Sequence, residues 1–188
     1  MKKFLSVVFL LLLITGCTSN GKLDTAKLKV DQEHVQTFYL PVDKQTAAEA
    51  VPFEIEYPSQ FPFKSGETKV NITDWNHSKG KVVVSTHFPS VEKEQKWQEG
   101  SFTQPAIPEV MYTVANFDRY YSKYEKQSEF KKVTMKDGDT ALFKRHDEVN
   151  GASLHWFKDG KEYNLDLLYE SEDAEKLKAE LLKMAGSI

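Results

Sequence analysis

Cysteine is nearly absent from this 188-residue chain, which contains only Cys17. A single thiol excludes an internal disulfide framework and a zinc site built from several thiolates. An excess of basic residues is also lacking, since 25 Lys and Arg face 28 Asp and Glu for a net charge of -3. Nucleic-acid binding depends on clustered cationic side chains, so we predict no nucleic-acid partner.

The sequence also lacks the common motifs of catalysis and cofactor binding. It has no Gly-x-Ser-x-Gly elbow and no glycine-rich phosphate loop. Ser-x-x-Lys occurs four times without the companion elements of penicillin-recognising enzymes, which indicates chance in a lysine-rich chain. None of the histidines has a second histidine at helical ligand spacing. We therefore predict no metal, no cofactor and no enzymatic activity.

A long apolar run occurs only near the N-terminus, from Phe4 to Ile14, where Ser6 is its only polar residue. A permanent membrane-spanning helix needs about 20 apolar residues, so this run is too short to be one. It follows Lys2 and Lys3, as the apolar region of a secretory signal does. We predict that residues 1–16 are a signal peptide.

The run ends in Ile14-Thr15-Gly16-Cys17, which resembles the lipobox of bacterial lipoproteins. The resemblance implies cleavage before Cys17 and acylation of its thiol. The alternatives are an ordinary cleavage beside an incidental thiol, or a short buried helix. Cys17 is the one functional residue that we predict, as the attachment point to the cell membrane, with the protein facing outside the cytoplasm.

The chain after the signal divides into a tether and one domain. Residues 17–33 are polar and lack a dense apolar face, which is typical of a tether. We expect a single α+β domain over 34–188. Within it, residues 89–107 contain prolines, Gly100 and a charged run, and we predict a long excursion from the sheet there.

The first half of the domain shows mainly strand patterns. Phe53–Tyr57 alternates apolar and acidic residues between two prolines and predicts a half-buried strand. Strands are also predicted around Val70–Ile72 and over Val82–Phe88, with a turn between them, and a short helical turn over Thr46–Ala50.

Residues 108–127 fit two patterns. Val110, Val114 and Phe117 share a helical face, yet Val110 and Val114 also alternate as in a strand. We prefer a helix over Phe117–Lys126, and the sequence leaves 108–116 undecided between helix and strand.

Two hairpins are predicted in the last third of the chain, at Asp137-Gly138 and Asp159-Gly160. A two-residue loop at Asp159-Gly160 fixes the register of the second hairpin. One face then carries the apolar pairs Trp156/Tyr163, Leu154/Leu165 and Ala152/Leu167. The opposite face carries Ser153, His155, Asn164 and Asp166.

The chain ends in a predicted amphipathic helix with Ser171 as its N-cap and an apolar stripe that includes Leu177, Leu181 and Met184. The fold class that these elements predict is α+β, an antiparallel sheet with the C-terminal helix packed on one face and one further helix.

Several of these features together resemble a bacterial extracytoplasmic domain of unknown function. The shared pattern is a proline-bounded start (VPFEIEYPSQFP), a Gly-x-x-Ala-x-Phe strand, a Trp-x-x-x-Gly-x-x-Tyr hairpin and a closing helix. Such domains occur in lipoproteins and behind the membrane anchors of regulatory proteins. The resemblance covers about half of the chain after the signal and implies no catalytic residues.

Two groups of side chains are candidates for function. Ser153, His155 and Asp166 are the residue types of a nucleophilic triad, although neighbours on a flat sheet face usually form a solvated or partly covered surface. The second group is aromatic and consists of Phe117, Tyr120, Tyr121 and Tyr124, with Trp97 and Phe102 in the excursion. These aromatic residues either belong to the core or line a binding surface.

The function that these observations favour is a membrane-anchored lipoprotein that displays a non-enzymatic interaction or sensing module. The expected partners are the membrane, through the Cys17 lipid, and an envelope protein or lipid. The alternatives are a carrier of a hydrophobic envelope ligand, held between sheet and helix, and a small envelope hydrolase.

Overall fold

The computed structural model describes residues 21–91, 108–146, 151–169 and 173–188. The predicted signal peptide, Cys17 and most of the predicted excursion lie outside these residues.

The described residues form a single nine-stranded sheet in which every neighbouring pair is antiparallel. The strands are β1 (Val30–Glu33), β2 (Thr37–Tyr39), β3 (Val70–Asp74), β4 (Val82–Pro89), β5 (Glu109–Ala115), β6 (Lys131–Thr134), β7 (Thr140–His146), β8 (Gly151–Lys158) and β9 (Lys161–Leu168). Their order across the sheet is β1-β2-β3-β4-β5-β9-β8-β7-β6, so the two halves of the chain meet where β5 pairs with β9.

Both predicted hairpins are confirmed, the second with its register. Lys158 pairs with Lys161 and Trp156 with Tyr163, and Asp159 and Gly160 have φ of 50° and 77°. Positive φ at both loop residues matches the twist of the flanking strands, which is why Asp-Gly favours a two-residue turn. The Trp156 and Tyr163 rings stack with centroids 5.0 Å apart.

Three α-helices occur in the described residues: α1 (Lys44–Ala50), where a short helical turn was predicted, α2 (Tyr121–Tyr124) and α3 (Ala174–Ala185). The C-terminal helix α3 packs on β8 and β9, and Leu177, Leu181 and Met184 on its apolar stripe are fully buried. Its N-cap is Asp173, whose side chain accepts hydrogen bonds from the N–H groups of the first turn. The predicted cap, Ser171, lies outside the described residues.

The predicted strand at Phe53–Tyr57 is wrong. Its alternation is real, because Phe53, Ile55 and Tyr57 pack against the core while Glu54 and Glu56 are exposed. The backbone, however, joins no ladder. Tyr57 lies edge-on to Tyr112 and Phe88, so the segment is an extended cover over the apolar sheet face. Alternation of apolar and polar residues indicates an extended chain with one buried side, but it does not indicate whether that chain pairs with a neighbouring strand.

The undecided segment 108–116 is a strand, and the helix predicted at Phe117–Lys126 is only the single turn α2. β5 is a central strand, paired on both sides. Two ladders of backbone hydrogen bonds outweigh the helical periodicity of its apolar residues.

The predicted tether is wrong from residue 21 onward. Leu23 is 4% exposed, and its N–H donates to the Lys79 carbonyl at 2.6 Å. β1 forms the edge of the sheet, although all four of its residues are exposed. The sequence is polar here because an edge strand needs no apolar face, so composition concealed a folded segment.

Candidate functional site

The polar face of the sheet, opposite α3, holds the predicted Ser/His/Asp set. The predicted register is confirmed there, with His155 opposite Asn164 and Ser153 opposite Asp166. The segment Asn116–Phe130 covers part of this face, because Tyr124 and Phe130 pack edge-on to His155. The face is therefore partly covered rather than fully solvated.

Glu162 fixes the covering segment in place. Its side chain is 1% exposed, and one carboxylate oxygen accepts the backbone N–H groups of Arg119 at 2.6 Å, Tyr120 at 2.5 Å and Tyr121 at 3.0 Å. The Arg119 guanidinium lies 3.4 Å from the other oxygen. These N–H groups begin α2 and have no acceptor within the helix, so a buried carboxylate satisfies them. The role of Glu162 is structural, and the sequence analysis missed it.

His155 is held among aromatic rings. Its ring centroid lies 5.0 Å from Tyr124 and 5.5 Å from Phe130, and only 7% of its surface is exposed. Burial lowers the pKa of His155 to about 3, with a smaller contribution from the positive charge of Arg119. The imidazole is therefore neutral at neutral pH, and its Nδ1 has no hydrogen-bond partner among the described residues.

Asp166 pairs with an amide instead of the histidine. Asn164 Nδ2 donates to Asp166 Oδ2 at 2.5 Å, while the buried Asn164 Oδ1 finds no partner in the described part of the chain. Burial raises the pKa of Asp166 to about 6, against the opposing effect of that hydrogen bond. The carboxyl thus titrates close to neutrality.

Ser153, His155 and Asp166 are not joined by hydrogen bonds through which a proton could pass. A catalytic triad needs the histidine to be hydrogen-bonded to both the nucleophile and the orienting carboxylate. In the described residues no hydrogen bond joins His155 to Ser153 or to Asp166, and Asp166 is engaged by Asn164. The three residue types share a face without the contacts that nucleophilic catalysis requires.

Three members of the predicted aromatic group, Phe117, Tyr120 and Tyr124, are brought together with Trp75, which the sequence did not indicate, whereas Tyr121 stacks on Phe157. Trp75 lies 5.8 Å from Phe117 and 6.1 Å from Tyr120, measured between ring centroids. Tyr120 continues to Tyr124 at 5.7 Å. Trp75 comes from the β3–β4 turn, so sequence spacing could not join it to residues forty positions away. The predicted members Trp97 and Phe102 lie outside the described residues.

The interface between α3 and the sheet is closed. Leu154, Leu165 and Leu167 of the sheet and Leu181 of the helix have no exposed surface. If these side chains lined a hollow large enough for a water molecule, part of their surface would be exposed to it. Because none is exposed, the space between these four residues is too small for an acyl chain. Elsewhere on the apolar face, the Tyr112 hydroxyl is buried without a hydrogen-bond partner in the described chain.

Metal-binding groups and membrane-spanning helices are both absent from the part of the chain that the structure describes. The described residues contain no group of three or more His, Cys, Asp or Glu placed to hold a metal ion. Within the same residues, no helix has the length and apolarity needed to cross a bilayer.

Comparison with known proteins gives no match, whether to a protein-family model, to a curated protein or to a solved structure. The lipobox and the likeness to an extracytoplasmic domain therefore stay predictions from the sequence.

Proposed function

We propose that the protein is a lipoprotein anchored to the outer surface of the cell membrane, where it presents an interaction or sensing domain without catalytic activity. The observation that carries the proposal is the order of features at the N-terminus. A short apolar run ends at the small residues Thr15 and Gly16, and the only thiol follows them. Cys17 stands four residues before the first described residue, Gly21.

The geometry of the polar face supports the non-catalytic part of the proposal. His155 is buried, neutral and not bonded to Ser153 or Asp166, so a hydrolase would have to rearrange the set before acting. The closed α3 interface likewise gives less support to a carrier than to an interaction domain. What remains available for contact is the surface of the domain.

The excursion at 89–107 is the surface that we assign to partner binding. Its described flanks come together, since the Ser90 N–H donates to the Pro108 carbonyl at 2.8 Å. Val91 at its start is 51% exposed. Both flanks lie at the end of β4 and β5 that is farthest from Leu23, so a partner could approach without meeting the anchor.

The anchor is tested by Cys17→Ser in the host. The wild-type protein should sediment with membranes and carry a lipid mass on Cys17, whereas the variant should be released into the soluble fraction. Ser19→Ala is the matched control, because it changes a neighbouring hydroxyl and should leave membrane attachment intact. A membrane-bound Cys17→Ser protein, or an unmodified Cys17 in the wild type, would refute the proposal.

Partner binding is tested by a photo-crosslinking amino acid at Val91 in intact cells, with the same probe at exposed Lys126 as control. A discrete adduct from Val91 alone, identified by mass spectrometry, is the expected result. Equal labelling from both positions would argue against the excursion as the contact surface.

A further inference from the structure

Four loops and tips meet at one end of the sheet, which we call the proximal end. It consists of the β1–β2 tip at residues 34–36, the β3–β4 turn at 75–81, the segment 116–121 and the β8–β9 tip at 159–160. The register aligns them, because Thr37 pairs with Asp74 and Asp74 with Val82. Farther across the sheet, Ala115 pairs with Val83 and with Glu162.

The chain enters the fold at this end. The Leu23 N–H donates to the carbonyl of Lys79 in the β3–β4 turn. Three residues lie between Cys17 and Gly21, which makes four Cα–Cα steps, and a fully extended chain spans at most about 3.6 Å per step. An acyl anchor on Cys17 therefore keeps the entry point within about 14 Å of the lipid. A strand of eight residues, such as β4, is about 27 Å long, so the tether is shorter than the domain.

The side chains at the proximal end suit a lipid–water interface. Val35 at the β1–β2 tip is 74% exposed, and Phe157 beside the β8–β9 tip is 40% exposed. Between these tips lie Trp75, Phe117 and Tyr120, which are partly exposed. Tryptophan and tyrosine concentrate where a membrane meets water, because one part of each ring system is apolar and the other is polar.

Cations accompany these rings. The exposed Lys81 ammonium lies 5.3 Å from the centre of the Phe117 ring. The Arg119 guanidinium carbon lies 4.8 Å from that of Tyr120, but Glu162 holds this guanidinium, so Lys81 is the cation that faces water. A cation over an aromatic ring keeps an apolar base beneath a charged head, and in a membrane that head reaches the phosphates. The short tether and this composition both identify the same occupant.

We propose that the proximal end is a membrane-docking surface, which lies in the headgroup region of the bilayer that holds the Cys17 lipid, with Val35 and Phe157 in contact with lipid. This inference rests on the proposed lipid anchor. Docking directs the far ends of β4 and β5 away from the membrane, together with the described flanks Val91 and Pro108.

The test uses the acylated protein, expressed from the full-length gene and reconstituted in vesicles of phosphatidylcholine and phosphatidylglycerol at three to one. Single cysteines at Val35→Cys and Phe157→Cys take a nitroxide spin label, since acylation occupies Cys17. Glu67→Cys is the control, because Glu67 is exposed and precedes β3 at the opposite end. Spin relaxation then compares collisions with oxygen, which dissolves in lipid, and with a water-soluble nickel complex.

We expect the ratio of oxygen to nickel collisions to rise several-fold at Val35 and Phe157 on vesicles and to stay at its aqueous value at Glu67. A second preparation inserts a flexible Gly-Ser segment between Asn20 and Gly21. The surface has its own affinity for lipid if the two labels stay in contact after this lengthening.

Three outcomes would overturn the inference. Aqueous values at all three positions on acylated protein refute docking while leaving the lipid anchor in place. If the labels lose contact with lipid when the tether is lengthened, the short tether alone had held them near the bilayer and the surface has no affinity of its own for lipid. Strong spin–spin broadening at Val35 or Phe157 without a rise in the ratio indicates that a second copy covers the surface. Mass spectrometry of the same preparation tests the anchor, and an unmodified Cys17 refutes both proposals.

Discussion

At the scale of single residues, the polar face holds ionisable groups in two different states. Glu162 is buried but accepts three backbone N–H groups, so its charge is matched by donors. His155 is buried and Asp166 half-buried, each with fewer partners, and loss of hydration shifts both pKa values in the direction that favours the neutral form. The face therefore combines one satisfied charge with two groups whose protonation affects stability.

These two groups give opposite slopes of stability against pH. The folded-state pKa of Asp166 is about 6, above its ordinary value of 3.8, so its contribution is present at low pH and declines as pH rises through 6. The folded-state pKa of His155 is about 3, below 6.5, so the free energy of unfolding contributed by His155 falls as pH drops below 6.5. Between these limits the two effects partly cancel.

The substitution Asp166→Asn removes the pH dependence of stability that Asp166 contributes. Relative to the wild type, the variant should gain about 2 kcal/mol in the free energy of unfolding between pH 4 and pH 7, because the ionisation penalty of Asp166 is gone. Urea unfolding at several pH values measures the difference, and Ser153→Ala on the neighbouring strand, which removes no titrating group, should show no such trend. A difference between Asp166→Asn and wild type that is constant with pH would contradict the assignment.

Glu162→Gln tests the buried carboxylate. The amide keeps one acceptor oxygen but loses the charge and turns a donor toward Arg119, so we expect a loss of about 2 kcal/mol or more in the free energy of unfolding. Hydrogen exchange at the Tyr120 and Tyr121 amides should also accelerate. Glu129→Gln is the control, because its exposed ion pair with Lys144 should contribute less than about 1 kcal/mol. Equal effects of the two substitutions would exclude the structural role.

At the scale of elements, sequence patterns predicted correctly those features that neighbouring residues alone determine. Asp159-Gly160 fixed a register that the structure confirms, because the turn conformation and the side-chain alternation specify it together. Phe53–Tyr57 and β5 depended on whether a distant segment pairs with them, and no local pattern contains that information. The contact of Trp75 with Phe117 was not predicted for the same reason, because only the order of strands in the sheet brings these two residues together.

Gly151 shows how closely β8 and β9 approach. A Cβ added to Gly151 would lie 2.7 Å from the Leu167 carbonyl oxygen, which is backbone and cannot move aside. Gly151→Ala should therefore lower the free energy of unfolding by about 2 kcal/mol, and with it the melting temperature by several degrees. At Gly80 the nearest atom to such a Cβ is 3.8 Å away, so Gly80→Ala should be nearly neutral. Calorimetry of both variants decides the matter, and a neutral Gly151→Ala would show that the hairpin relaxes freely.

At the scale of the whole molecule, the point where the fold begins determines how the proposed lipid anchor on Cys17 would present the domain. If residues 21–29 were a free tether, the 13 positions from Cys17 to Val30 could reach about 45 Å. Leu23 is buried and the Asp24 N–H donates to the Ala50 carbonyl at 2.8 Å, so the fold has begun by then. Only three residues lie between Cys17 and the first described residue, Gly21. A short tether restricts the orientation of the domain, whereas a long one would leave it free.

Leu23→Ala tests this boundary. Removing a side chain that is 4% exposed should lower the free energy of unfolding by about 3 kcal/mol, because it leaves a cavity in the core. Val30→Ala is the matched control, since Val30 is 53% exposed on the edge strand and its truncation should cost no more than about 0.5 kcal/mol. Urea unfolding of the two variants gives the comparison. If Leu23→Ala is as mild as Val30→Ala, residues 21–29 are not part of the folded body, and a long tether would then leave the proximal end without a reason to face the membrane.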